Sequence, residues 1–240
     1  MSDPAKIGMP DIETATITPP PIAAVSRPPT DPVVAAADLH TFIRRVFAAL
    51  GMRPDDTGLL ADHLVWADLR GLAWLGARKV VPYVDQIRQG GASAVAESVV
   101  LRDRGAFALI DANHTLGQIA GARAMRSAIA KARVFGVGVT SVRNTHSAGA
   151  LGYYPALAAG EGMIGMAINN SSARMAPWGG VEAVLGNQAF AVGSPAGRHD
   201  PVIADMACSA TSWVRIHEHE RRGEPIRGHA QDQAAAAVRA

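Results

Sequence analysis

From about residue 96 onward, short apolar runs with strand spacing alternate with longer segments of helical spacing. That alternation confines the chain to a mixed α and β architecture. Val99 to Arg102 and Phe107 to Asp111 read as strands joined by a hairpin at Asp103-Arg104-Gly105. Gly117 to Phe135 reads as a long helix, because Ala122, Met125, Ile129 and Ala132 share one face. Val137 to Val142, Met163 to Ile168, Phe190 to Ser194 and Val202 to Met206 read as further strands. Helices are expected over Gly149 to Ala159 and from about Ser209 to Arg222.

Upstream of this stretch the spacing is helical throughout, which predicts a helical unit over residues 33–95 and a second unit over 96–240. Asp38 is placed to cap a first helix in which Leu39, Phe42, Ile43, Val46, Phe47 and Leu50 follow at helical spacing, with Gly51 as its stop. A second helix follows Pro54, with Asp55 and Asp56 in its first turn and Leu60, Leu64 and Ala67 inward, and stops at Gly71. A third covers about Arg78 to Arg88, with Pro82 interrupting its early part. Residues 1–32 are proline-rich and lack either period, so they read as a disordered tail.

The hydrophobic share of 48% supplies enough apolar surface for a core. A net charge of +2 with no basic run, and 5% aromatic residues, give no footing for nucleic-acid binding. No apolar run approaches the roughly 20 residues of a membrane span. Cys208 is the only cysteine, which fits a reducing compartment and a cytoplasmic location.

Four segments carry chemistry. The first is DANHTLGQ, Asp111 to Gln118, at a strand-to-helix turn. Asp111, His114 and Gln118 are placed to line a cleft, or Asp111 to cap the helix. The second is SVRNTHSAGALGYY, Ser141 to Tyr154, where His146 follows a strand and precedes a glycine-led helix. Imidazole suits proton transfer near neutral pH, so His146 is the general-base candidate; the alternative is a histidine satisfied within a turn. The third is NNSSARMAPWGG, Asn169 to Gly180, which offers hydroxyl, amide and backbone donors to a polar ligand, or forms a surface loop pinned by Trp178. The fourth is DMACSATSW, Asp205 to Trp213, where small residues precede a helix. No G-x-G-x-x-G follows a strand, and no zinc-ligand spacing occurs; His217 and His219 point to different helix faces.

These blocks, in this order, resemble the malate/L-lactate dehydrogenase-type oxidoreductases, which include ureidoglycolate and sulfolactate dehydrogenases. The resemblance implies a non-Rossmann nicotinamide-binding domain of sheet and helix, joined to a helical N-terminal unit. It implies NAD or NADP as cofactor, a small 2-hydroxy or 2-oxo acid as substrate, and a homodimer. His146 would exchange the hydroxyl proton. Lys79, with Arg78 beside it, would meet the substrate carboxylate. Ser171 and Asp205, Met206 and Ala207 would line the cofactor.

The chain departs from the family pattern in several places. Ser147 occupies the position of the family's histidine, and His146 stands one residue earlier. In RGLAWLGARKVVPY, Trp74 and Leu75 replace a serine-histidine pair, and Lys79 replaces an arginine. Those replacements predict an altered substrate with a more apolar side chain. Gln188 and Ala189 replace an asparagine-proline pair. The resemblance covers about Ala35 to Pro225, whereas family members continue further. The expectation is a chain without the C-terminal part of the family fold, with a catalytically inactive homologue that binds nucleotide weakly or serves as a partner subunit as the alternative.

Overall fold

The computed structural model describes residues 33–209 together with Ile216, His219 and Gly223. The expected tail and the expected helix over Ser209 to Arg222 fall outside this range or largely so.

The first helix, α1, spans Ala36–Ala48 and buries Ile43 and Phe47. It starts earlier than Asp38 would dictate. The N-cap is Ala35, without a side-chain bond, and Asp38 lies in the first turn. The strong helix preference of Ala36 and Ala37 carries the backbone into the helix before the aspartate is reached. Helix α2, Pro54–Leu69, opens on proline, whose missing N–H costs nothing there. A 3-10 turn over Ala77–Lys79 leads into α3, Val80–Arg88. Pro82 therefore sits in a first turn, where backbone donors have no intrahelical partner, and α3 runs through it unbroken.

Strands β1, Val99–Arg104, and β2, Phe107–Asp111, form the expected hairpin. Helix α4, Gly117–Phe135, then crosses to β3, Val139–Arg143, which pairs parallel with β2 from Phe107↔Val139 to Asp111↔Arg143. Strand β3 begins later than its apolar run suggests. A Cβ at Gly138 would lie 1.9 Å from the Ala128 carbonyl oxygen, so Val137-Gly138 is where the chain passes tightly under α4.

Helix α5, Tyr153–Gly160, also starts later than expected. Gly149 has φ +69, which turns the chain before any helix can form. Strands β4, Gly165–Ile168, β5, Phe190–Ala196, and β6, His199–Met206, make a separate antiparallel sheet. Its inner face receives α5 through a cross-strand pair of glycines, Gly165↔Gly193. A side chain at Gly193 would meet the Pro155 carbonyl oxygen at 2.9 Å.

The core joins α1, α2, α4 and α5, with Phe47, Leu60, Leu64, Leu116 and Ile119 fully buried. The outer face of the second sheet exposes Met166, Ile168, Val202 and Met206. The class is mixed α and β, as the spacing requires. Among the described residues each sheet has three strands, and β2–β3 is the parallel pair, so neither is a doubly wound nucleotide-binding sheet. No described helix is long and apolar enough to cross a membrane.

Candidate functional site

The parallel strands β2 and β3 end together at Asp111 and Arg143, and the loops that follow carry His114 and His146. Asp111 is the anchor of both loops. Its carboxylate accepts from the Asn113 amide at 2.9 Å, from Arg143 Nε at 2.9 Å and from Asn144 Nδ2 at 2.8 Å. The Asn113 amide is the main influence holding its pKa below the ordinary aspartate value, with Arg143 and Asn144 adding to it. Asp111 therefore does not cap α4, whose N-cap is Leu116. The His114 amide donates to the Asn144 carbonyl at 2.8 Å, which ties one loop to the other. Asn113, His114 and Asn144 all adopt positive φ, at 47°, 62° and 52°. Asn and His enter left-handed backbone more readily than most residues, and three of the four such non-glycine positions among the described residues fall on the paired loops.

His146 lies half-buried beside His114, with ring centroids 6.0 Å apart. Its Nδ1 is 3.0 Å from Nε2 of Gln86 on α3. Its Nε2 is buried and has no hydrogen-bond partner. Burial first, then proximity to His114, holds its pKa below the ordinary histidine value. Ser147 is exposed; its hydroxyl accepts from the Gly149 amide at 3.4 Å, and its carbonyl accepts from Gln118 Nε2 at 3.2 Å. Gln118 also donates to the Tyr83 hydroxyl at 2.7 Å, and burial pushes the Tyr83 pKa up to about 12.

Lys79, Tyr83 and Gln86 follow at i, i+4 and i+7, so they share one side of α3. Lys79 is half-buried at the helix start, about 10 Å along the axis from Gln86 at a helical rise of 1.5 Å per residue. Arg78 is exposed. The turn that holds both, with Trp74 and Leu75, is fixed to α2 because Asp68 accepts from the Ala77 amide at 2.8 Å. Burial raises the Asp68 pKa, against the pull of that amide and of Arg78.

Ser171 stands on a second group of loops. Its hydroxyl donates to Asn187 Oδ1 at 2.7 Å and accepts from the Asn187 amide at 2.8 Å. Its own amide donates to Gln188 Oε1 at 3.2 Å. The Cys208 amide donates to the Asn187 carbonyl at 2.8 Å, so the segment after Asp205, Met206 and Ala207 meets the Ser171 loop at Asn187. Trp178 is 95% exposed and does not pin this loop by burial. The pairs Ser171–Asn187 and Met175–Leu185 hold it instead.

Asp205 turns the other way, with its carboxylate accepting from the Gly152 amide at 2.7 Å at the start of α5. Partial enclosure pushes its pKa up, while the Gly152 and Leu151 amides oppose that push. Asp205 also lines an open groove of about 690 Å³ between the end of α2 and β6, with Trp66, Arg70, Asp200 and Ile203. Neither His146, Lys79 nor Ser171 lines that groove.

The structure thus joins His146 to α3, and Ser171 to the end of β6. Asp205 connects the second group to the helix that follows His146. Gln86 and Tyr83 are members of the site that the motifs do not single out. The i, i+4, i+7 spacing from Lys79 is the one sequence signal that marks them.

The sequence profile of the malate/L-lactate dehydrogenase family matches residues 34–237. The chain is 39% identical over 189 residues to a malate dehydrogenase of Pyrococcus abyssi, covering 79% of this chain and 52% of that protein. It is 28% identical over 188 residues to a ureidoglycolate dehydrogenase (NAD(+)) of Escherichia coli, covering 78% and 54%. The solved structure of a Pyrococcus horikoshii malate dehydrogenase superposes with a TM-score of 0.74 at 39% identity, over 77% of this chain and 53% of that one. The chain spans about half the length of the curated relatives it matches. With most of its residues accounted for by one profile and a superposing fold, the chain belongs to the malate/L-lactate dehydrogenase family.

Proposed function

We propose that this chain serves a nicotinamide-dependent oxidoreductase acting on a small 2-hydroxy or 2-oxo acid. The observation that carries the reading is the setting of His146. It sits beyond the carboxyl ends of a parallel strand pair, one nitrogen held by Gln86 and the other enclosed without a partner. Its lowered pKa keeps the ring neutral near pH 7, with one nitrogen to donate to a 2-oxo acid and one to accept from a 2-hydroxy acid, according to tautomer. Lys79 supplies a cation on the α3 side of the site and would hold the acid's carboxylate, as a point charge rather than a fork. Trp74 and Leu75, both half-buried on the adjoining turn, favour an apolar substrate side chain.

The polar residues present suit a nicotinamide nucleotide. Ser171 is exposed, and a Cβ at Gly186 would lie 2.3 Å from the Ser171 carbonyl oxygen, so the two loops pack closely beside the Ser171–Asn187 pair. Ser171, Met206 and Ala207 would line the nucleotide, and Asp205 would support them from the start of α5. A bound NAD or NADP supplies the hydride acceptor or donor for C2 of the acid. The exposed apolar face of the second sheet supports burial against a second copy of the chain.

Titration with NADH and with NADPH, read by nicotinamide fluorescence and melting temperature, tests the cofactor reading. Saturable binding with a raised melting temperature is expected. A folded protein that binds neither sinks it. His146→Ala is expected to lower turnover by about 10²–10⁴-fold while keeping nucleotide affinity. Lys79→Ala is expected to act mainly on KM for the acid. Ser147, at the family's histidine position, favours a second reading: a homologue that binds nucleotide without turnover. Binding with no reduction of any 2-oxo acid would select it.

A further inference from the structure

We propose that Gln86 is a positioning residue that selects the tautomer of His146. The inference rests on the reading of His146 as the proton-exchanging group. Gln86 is well placed to hold a fixed position. Its carbonyl accepts from the Gly91 amide at 2.8 Å and the Ala92 amide at 3.3 Å, which fastens the end of α3. A Cβ at Gly91 would lie 3.2 Å from Gln86 Cγ, so the stem of the side chain is closely backed. The terminal amide beyond that stem meets His146.

A neutral imidazole carries one donor and one acceptor nitrogen, and the partner of one decides the role of the other. In this structure the amide nitrogen of Gln86 faces His146 Nδ1 at 3.0 Å. With the amide in that orientation an N–H of Gln86 donates to Nδ1, which assigns the ring proton to Nε2. That tautomer can donate a hydrogen bond to the carbonyl of a 2-oxo acid. It cannot take a proton from a 2-hydroxy acid, because the Nε2 lone pair is absent. For Nε2 to act as a base, Nδ1 must carry the proton, and Gln86 must turn its carbonyl oxygen to accept it. When the substrate O–H bond breaks and an Nε2–H bond forms, the resulting imidazolium keeps the same demand on Gln86. The amide torsion is broad and roughly two-fold, so both orientations are open to a side chain whose stem stays in place. His114 is the titratable neighbour across the ring: its side chain disfavours the imidazolium of His146, and its backbone carbonyl favours it.

A carboxylate at position 86 only accepts. Gln86→Glu should therefore hold the proton on Nδ1 and favour the imidazolium, while Gln86→Met removes the selection altogether. The test is long-range ¹H–¹⁵N NMR of the histidine rings in the whole chain, with His146→Gln identifying the signal, and with a thermal melt on every variant. Expected are an Nε2–H tautomer in the wild-type protein, an Nδ1–H tautomer with a pKa raised by about one unit or more in Gln86→Glu, and a tautomer mixture in Gln86→Met. The same tautomer and pKa in the wild type and in Gln86→Glu would overturn the proposal, even if Gln86→Met failed to fold. The spectra need no turnover, so the outcome is separate from the proposed function. A tautomer switch in a protein that binds no nicotinamide would leave this inference standing and remove the enzymatic reading.

Discussion

Of the two ring nitrogens of His63, only Nε2 is satisfied, by the Ala150 carbonyl at 3.1 Å; Nδ1 is buried without a partner. Tyr153 closes the ring edge-on at 5.0 Å. Burial lowers the His63 pKa from 6.5 to about 4, despite hydrogen bonds that oppose the shift. The folded state therefore resists protonation that the unfolded chain accepts. Stability present above pH 6.5 is lost as pH falls toward 4, by about 3 kcal/mol at 1.36 kcal/mol per unit. Urea midpoints measured across that window should fall less steeply in His63→Gln than in the wild type; equal slopes would show that His63 does not set the acid limb. The same ring explains Gly149. A Cβ there would lie 2.4 Å from His63 Cε1, on backbone that already needs φ +69. Gly149→Ala is expected to destabilise by more than 1 kcal/mol, the scale of a lost left-handed glycine, with the melting temperature as the readout. Neither role was legible in the sequence. His63 and Ala150 are 87 residues apart, and Gln86 and His146 are 60 apart. Such pairs leave no trace in local spacing.

At the scale of elements, α5 depends on groups outside itself. It lacks a side-chain cap of its own, and the Asp205 carboxylate from β6 takes that place. Asp205→Ala should cost about 1 kcal/mol, the usual loss for a cap, and Asp205→Asn should cost less because an amide oxygen can still accept. Equal losses in hydrogen-exchange protection of the α5 amides for both variants would contradict the capping role. Against the sheet, Gly193→Ala should cost about 1–3 kcal/mol, since the Pro155 backbone must retreat. The elements themselves were largely legible. Helix α4 occupies the bounds its apolar spacing indicates, because one face meets the core from Gly117 to Ile129 and the left-handed Gly136 ends it. The starts of α1 and α5 were not, because an aspartate preference and a glycine-led run yield to alanine propensity in one case and to a left-handed turn in the other.

The whole molecule is tied across its helices by Asp56, which is 1% exposed and pairs with both Arg53, at 2.9 Å, and Arg123 of α4. Arg53 also reaches Glu97 just before β1. Removing the shared anion leaves Arg53 with Glu97 and takes the carboxylate away from the partly covered Arg123 guanidinium. Asp56→Ala should therefore cost about 1–3 kcal/mol, the scale of lost charge-assisted hydrogen bonds, with a lower urea midpoint and an unchanged slope. A loss below 1 kcal/mol would mean that water replaces the carboxylate.

The cap on α5 also has a timetable. Gly152 and Asp205 are 53 residues apart, so at 5–20 residues per second a ribosome needs about 3–10 s to deliver the cap after the helix start has been made. The partners of the His146 loop, from Gln86 to Gln118, are synthesised before it. During birth, then, the His146 end of the molecule can assemble first, and the Ser171 loop and β6 arrive to lock it.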